Sequence, residues 1–123
     1  MTLSAIGQIA MVVKDVRRAV EFYRDSLGLP LLFQAPPSLA FFDCGGVRLM
    51  LSPAERPEFD HPGSVLYFTV PDIDEAYRTL SGRAVDFREP PHLIAKMPDH
   101  ELWMAFFRDT EGNTLALMEE RRG

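Results

Sequence analysis

One unit of this chain is written twice. The runs Gln8-Ile-Ala-Met-Val-Val-Lys-Asp15 and Val65-Leu-Tyr-Phe-Thr-Val-Pro-Asp72 each read as an apolar strand that ends in an Asp and leads into a stretch with helical spacing. At a constant offset of 57, Val13 meets Val70, Asp15 meets Asp72, Val16 meets Ile73 and Ala19 meets Ala76. The ends of the copies correspond as well. Ala40-Phe41-Phe42 recurs as Ala105-Phe106-Phe107, and Leu49-Met50-Leu51 as Leu115-Ala116-Leu117. The offsets there are 65 and 66, so the second copy carries about eight extra residues. A repeat of this kind restricts the chain to folds made from two copies of one supersecondary unit.

Apolar spacing orders the elements inside each copy. Residues 6–13 read as a strand in which Gln8 is the one strongly polar side chain. With period two, Gln8, Ala10 and Val12 share one face, and Ile9, Met11 and Val13 the other. Asp15 fits a helix N-cap. Val16, Ala19, Val20, Tyr23 and Leu27 then recur at helical spacing until Gly28 stops the helix. Residues 30–34, 39–43 and 47–52 read as short strands, with turns at Pro36-Pro37 and Cys44-Gly45-Gly46. Residues 53–63, which hold Pro53, Pro57 and Pro62, link the copies. The second copy opens with a strand at 64–70. Asp72 with Glu75 three residues on resembles a capping box. Ile73, Ala76, Tyr77 and Leu80 form the buried stripe of a helix that Gly82 ends. Weaker strand signals at 85–87 and 93–95 precede strands at 101–108 and 114–119, which flank a turn at 109–113. The order is β-α-β-β-β, twice. That is an α+β chain forming a single domain over residues 1–123, with module one at about 4–52, a linker at about 53–63 and module two at about 64–120.

Bulk properties narrow the function. The chain has 123 residues, 46% hydrophobic and 25% charged, a globular composition. With 18 acidic against 13 basic residues the formal charge is −5, and the basic residues do not cluster, which argues against nucleic acid as a partner. One cysteine, Cys44, excludes an intrachain disulfide and suits a reducing, cytoplasmic compartment. The first residues lack the pattern of a signal peptide, and no apolar run reaches the length of a membrane span.

The chain resembles the vicinal oxygen chelate superfamily, which includes glyoxalase I, methylmalonyl-CoA epimerase, extradiol dioxygenases and the bleomycin and fosfomycin resistance proteins. The resemblance rests on Ile9-Ala-Met-Val-Val-Lys-Asp15, Ala19-Val-Glu-Phe-Tyr-Arg-Asp-Ser-Leu-Gly-Leu29 and Phe107-Arg-Asp-Thr-Glu-Gly-Asn113. It implies two paired βαβββ modules whose strands form a curled mixed sheet around a cavity, with helices outside. It also implies a homodimer, with the cavity built either within one chain or across the pair.

Metal-using members place four His, Gln or Glu ligands in that cavity, donors that suit divalent cations. The positions corresponding to them here are Gln8, Met50, Val65 and Ala116. Gln8 is an acceptable donor, but a thioether binds hard cations badly, and Val and Ala have no donor atom. A register shift by one residue brings only Ile9, Leu51, Leu66 and Leu117. No metal and no other cofactor is therefore expected in the family's usual place.

Without a metal, the same faces form a mostly apolar pocket with a few polar handles. The expected ligand-binding residues are Gln8, Arg48, Met50, Val65, Tyr67, Trp103, Thr114, Ala116 and Met118. Arg48 is the anion handle, able to bind a carboxylate or phosphate bidentately, or a strand-end side chain that reaches into solvent. Strand 101–108 shows either Leu102, Met104 and Phe106 or Trp103, Ala105 and Phe107 to the cavity. His92 and His100, in the extra residues of module two, and Glu101 are the acid–base candidates. Those extra residues could form a flap. His61, in the linker, reads as a surface residue, and nothing near Cys44 would lower its pKa. Two functions follow. One is a protein of the bleomycin-resistance kind that binds a small apolar or aromatic molecule, anionic where Arg48 is the handle, in a metal-free cavity. The other is a lyase or isomerase of the glyoxalase I or methylmalonyl-CoA epimerase type, with a displaced metal or acid–base chemistry through His92, His100 or Glu101.

Overall fold

The structure, a computed structural model, describes residues 3–36 and 38–123; Pro37, half of the Pro36-Pro37 turn, lies outside the described residues. The chain divides into two compact units, Met1–Gly63 and Ser64–Gly123. In the first unit, strand β1 (Gln8–Val12) leads to helix α1 (Val16–Glu21), then β2 (Leu31–Ala35), β3 (Leu39–Cys44) and β4 (Val47–Ser52). The sheet order is β1-β4-β3-β2, with β1 parallel to β4 and the other pairs antiparallel. The second unit holds β5 (Leu66–Thr69), α2 (Ile73–Gly82), β6 (Asp86–Phe87), β7 (His92–Lys96), β8 (Glu101–Arg108) and β9 (Thr114–Arg121). Its sheet order is β5-β9-β8-β6, with β7 also on β8. The fold is α+β, and both sheets are mixed.

The repeat read from sequence is a repeat of topology. Each unit has a first strand parallel to its last. The pairing runs one residue past both first strands, through Val13 N–H to the Ser52 carbonyl and Val70 N–H to the Met118 carbonyl, each 2.9 Å. The extra residues of the second copy do not form a flap. They enlarge the sheet edge, because β6 and β7 pair with opposite ends of β8. The break between them is Arg88-Glu89-Pro90-Pro91, where two successive residues have no N–H to offer a ladder.

Each helix covers one sheet face. On that face of the first unit lie Met11, Val13, Ala40, Phe42, Leu49 and Leu51, all buried together with Ala19, Val20 and Tyr23 of the helical stretch. Tyr23 packs 5.9 Å from Phe42, and its hydroxyl lies 3.8 Å from the sulfur of Met11. In the second unit, Tyr77 of α2 meets Phe87 edge-on at 4.8 Å, and Phe87 lies 5.2 Å from Phe107. Burial of each such side chain is worth about 1.5–3 kcal/mol, which outweighs the helix propensity of a six-residue α1.

The helix ends show what the sequence could and could not specify. The Asp15 carboxylate accepts the Arg18 N–H at 3.1 Å, and Asp72 accepts that of Glu75 at 3.2 Å, as N-caps do. A further carboxylate at the start of α2 comes from far away in the chain, since Glu119 on β9 accepts the Ile73 N–H at 2.9 Å. The first helix widens after Glu21 into a π turn over Phe22–Ser26, closed by Leu27 N–H to the Phe22 carbonyl. Gly28, at φ 77°, then turns the chain as its position suggests. Gly82 is the last residue of α2, as its position suggests, but it is not the left-handed one. The left-handed residue is Ala84, at φ 64°. Its N–H reaches the Ser81 carbonyl and the Val85 N–H that of Leu80, a Schellman closure with alanine where glycine is easier.

Ala84→Gly is expected to raise stability by about 0.5–1 kcal/mol, net of glycine's extra freedom in the unfolded chain. A higher urea midpoint at unchanged slope would show it. Glu119 supplies a pH test. Its bond to the Ile73 N–H, with Arg121 beside it, holds its carboxyl below the ordinary glutamate value of 4.5. A lowered folded-state pKa contributes stability that is present above 4.5 and is lost as pH falls through the folded value. Urea titrations from pH 7 downward should therefore show a shallower acid loss in Glu119→Gln than in the parent.

Candidate functional site

The period-two alternation that buries one face of each sheet puts a second set of side chains on the other. In the first unit this open face carries Gln8, Ala10 and Val12 from β1, opposite Arg48, Met50 and Ser52 of β4. Phe41 of β3 faces Met50, and Phe33 of β2 faces Phe41. The Arg48 Nε donates to the Gln8 amide oxygen at 3.2 Å, and the amide nitrogen of Gln8 lies 3.8 Å from the Met50 sulfur. The guanidinium lies 5.4 Å from the centre of the Phe41 ring, which stacks on Phe33 at 4.6 Å. Asp43 sits across from Arg48 in the ladder, but its carboxylate accepts the Gly46 N–H of the turn at 2.9 Å. Among the described residues no carboxylate comes within ion-pair distance of Arg48. The arrangement is a cation above the ring of Phe41, which itself stacks on Phe33, and oriented by an amide.

The open face of the second unit carries Tyr67 from β5, Thr114, Ala116 and Met118 from β9, and Leu102, Met104 and Phe106 from β8. Tyr67 and Phe106 are the ladder partners of Ala116 on either side, and their rings meet edge-on at 5.9 Å. Val65 lies just before β5 and is 40% exposed. The choice left open for strand 101–108 is thus decided for Leu102, Met104 and Phe106. Trp103 is on the opposite face, with Ala105 and Phe107, and leaves the set of open-face residues. Its indole N–H donates to Glu101 at 3.0 Å, and the Arg121 guanidinium covers its ring at 4.7 Å. Arg121 in turn bonds Asp74 of α2 at 3.0 Å and Glu119 at 3.3 Å.

The three acid–base candidates do not come together. Glu101 is occupied with Trp103. His100 lies in the β7–β8 turn, where its Nδ1 is 2.8 Å from Asp99. Asp99 also accepts from Arg122 at 2.7 Å, and these two partners, Arg122 foremost, hold its carboxyl at about 2. His92 alone faces the open side, opposite Met104, where it lines a depression of about 410 Å³ with Arg88, Glu89, Phe106 and Thr114. Burial, with Asp43 beside it, pushes the Cys44 thiol up, away from thiolate chemistry.

The donors at the four family positions do not fit a divalent metal. Gln8 already serves a permanent cation, Met50 presents a thioether to Gln8, Val65 is hydrocarbon, and Ala116 lies between Tyr67 and Phe106. Among the described residues no group of three His, Cys, Asp or Glu side chains is disposed to hold a metal ion. Sequence reasoning left Phe106 as one of two alternatives and did not place Phe33 and Phe41, whose pairing depends on strand register. It also missed Phe59 and His61, which line a second depression on the first unit with Ala10, Met50 and Ser52.

Residues 5–117 match the family model of the Glyoxalase/Bleomycin resistance protein/Dioxygenase superfamily. The uncharacterized protein YraH of Bacillus subtilis (strain 168) is 29% identical over 126 residues, which cover 89% of this chain and 94% of that protein. The metallothiol transferase FosB of Staphylococcus haemolyticus (strain JCSC1435) is 27% identical over 128 residues, 94% of this chain and 83% of FosB. Among solved structures, a member of the glyoxalase/bleomycin resistance protein/dioxygenase superfamily from Sphaerobacter thermophilus DSM 20745 aligns with a TM-score of 0.82. That alignment covers 98% of this chain and 100% of the other, at 25% identity.

The position of Trp103 gives a direct check. Trp103→Phe should lower stability by about 1–2 kcal/mol, through loss of the indole hydrogen bond and a weaker cation–π contact. Binding of any ligand to the open faces should be unchanged, which calorimetric titration of the folded variant would establish.

Proposed function

The chain belongs to the Glyoxalase/Bleomycin resistance protein/Dioxygenase superfamily, and from that premise we propose that it binds a small aromatic anion on the open face of its first unit without a metal ion. The observation that carries this reading is the Arg48 guanidinium. Its Nε is committed to Gln8 and its guanidinium carbon lies 5.4 Å from the centre of the Phe41 ring. No hydrogen bond from its terminal nitrogens is made to a described residue, so a planar anion can be met bidentately. Phe41 and Phe33 offer an aromatic surface beside that charge. The cation is poorly placed to help a metal and well placed to receive a carboxylate.

An enzymatic reading, as a lyase, isomerase or transferase, draws on relatives such as FosB, named a metallothiol transferase. It would need hard donors where this chain has Met50, Val65 and Ala116, and a Gln8 released from Arg48. Like-charge repulsion from the guanidinium opposes a dication there, and the donors that could offset it are absent.

Benzoate and benzamide are suitable probes because they differ only in the charge that Arg48 would read. Benzoate should bind more tightly than benzamide, and Arg48→Met should cancel the difference, a loss of about ten- to a hundredfold. Equal affinity for the two in the parent protein would overturn the reading. Thermal melts with Ni²⁺, Mn²⁺, Co²⁺ and Zn²⁺ test the metal. No shift in midpoint is expected, and a stoichiometric metal lost in Gln8→Ala would refute the metal-free form.

A further inference from the structure

The segment after β4 does more than lead into the second unit. It makes one tight 3₁₀ turn, Pro57–Phe59, fixed by Phe59 N–H to the Arg56 carbonyl at 2.9 Å and Asp60 N–H to that of Pro57 at 3.1 Å. It then passes the open face at the far ends of β1 and β4. Phe59 and His61 come to stand beside Ala10, Val12, Met50 and Ser52 around a depression of about 260 Å³.

The lining of this depression is largely apolar, with Ser52, Glu55 and His61 as its polar members. Ser52 is only 5% exposed and its carbonyl is used by Val13, while its hydroxyl is not among the enclosed unpartnered polar atoms of the described residues. A hydroxyl that water still reaches carries no desolvation cost of its own. The His61 Nδ1 lies 3.0 Å from the Pro62 carbonyl, which only accepts, so in the neutral ring Nδ1 carries the proton and Nε2 is an acceptor. The rest of the lining is largely apolar, and Phe59 retains 47% exposure, open to cover by a partner.

The depression is also in line with Arg48. Along β1 and β4 the rows run Gln8 with Arg48, Ala10 with Met50, then Val12 with Ser52. At about 3.3 Å per residue, Arg48 and Ser52 are about 13 Å apart along the strand. A volume of 260 Å³ falls short of the roughly 300–1,000 Å³ of a complete small-molecule site. It suits part of a ligand. We infer that this compartment takes the apolar arm of an elongated aromatic acid whose carboxylate is held by Arg48, and that Phe59 and His61 set the length and bulk of the arm. The inference rests on the anion site proposed above and adds the ligand's class: an amphipathic aromatic carboxylate, anionic at one end and apolar at the other.

Benzoate, 4-butylbenzoate and 4-butylbenzamide separate the two halves by calorimetric titration. In the parent protein 4-butylbenzoate should bind about tenfold tighter than benzoate, since the butyl group leaves water for the compartment. Phe59→Ala should remove most of that butyl increment and leave benzoate affinity unchanged, and the benzoate value itself reports that the variant is folded. A butyl increment that is absent in the parent, or that survives Phe59→Ala, overturns the inference while the dependence on Arg48 can still be read from benzoate. An increment lost in Phe59→Ala, with the acid and the amide bound alike, keeps the compartment and removes the anion site. If none of the three binds, both fall.

Discussion

The parallel pairing of β1 with β4, and of β5 with β9, is the constraint on which the rest depends. It joins residues 40 positions apart in the first unit, Gln8 to Arg48, and it fixes which residues share a row. Because side chains alternate with period two, the same register decides which set is buried under a helix and which is left open. Burial of Met11, Leu49, Leu51 and Phe42 against Tyr23 enforces it, since a slip by one residue would expose that whole set and bury Arg48 without a partner. The polar row is therefore a by-product of core packing, and its geometry is as firm as the core.

That register changes what Gln8 means. As a residue on a strand it is an acceptable ligand for a divalent ion. Opposite Arg48 it becomes an acceptor for a guanidinium, which fixes the orientation of the cation and opposes a second cation. In the second unit Ala116 occupies the corresponding position of the last strand, because Tyr67 and Phe106 meet over that row and leave space only for a small side chain. The two units share a topology and differ in chemistry: a charge over stacked rings in one, an aromatic pair over a methyl group in the other.

Much of the fold was legible in the sequence because it is encoded locally. Asp15 and Asp72 cap helices, Gly28 turns the chain, and the offsets of 57 and 66 between the copies reappear in the hydrogen bonds of Val13 and Val70. The end of α2 falls at Gly82 as read, but the left-handed residue that closes it is Ala84 rather than a glycine. Helix closure there is enforced by Val85, which is buried and bonded back to Leu80, and packing overrides the preference for glycine. The extra residues of the second copy looked like a flap because their strand pattern is broken at Pro90-Pro91. Their partner β8 lies later in the chain, and only that pairing shows them to be a sheet edge.

By itself the amino-acid sequence determined the twofold βαβββ plan, the caps and the apolar faces, since each is a matter of residue type and near-neighbour spacing. Tertiary structure decided the relations that cross the chain. Trp103 turned away from the open face into a network with Arg121, Glu119 and Asp74. Glu119 reached the start of a helix 46 residues earlier. Phe59 and His61 came to line a depression beside Met50. The reason is physical: a hydrogen bond or a ring stack depends on distances of a few ångströms, and which residues come that close is settled by strand register and chain path, neither of which a single position carries.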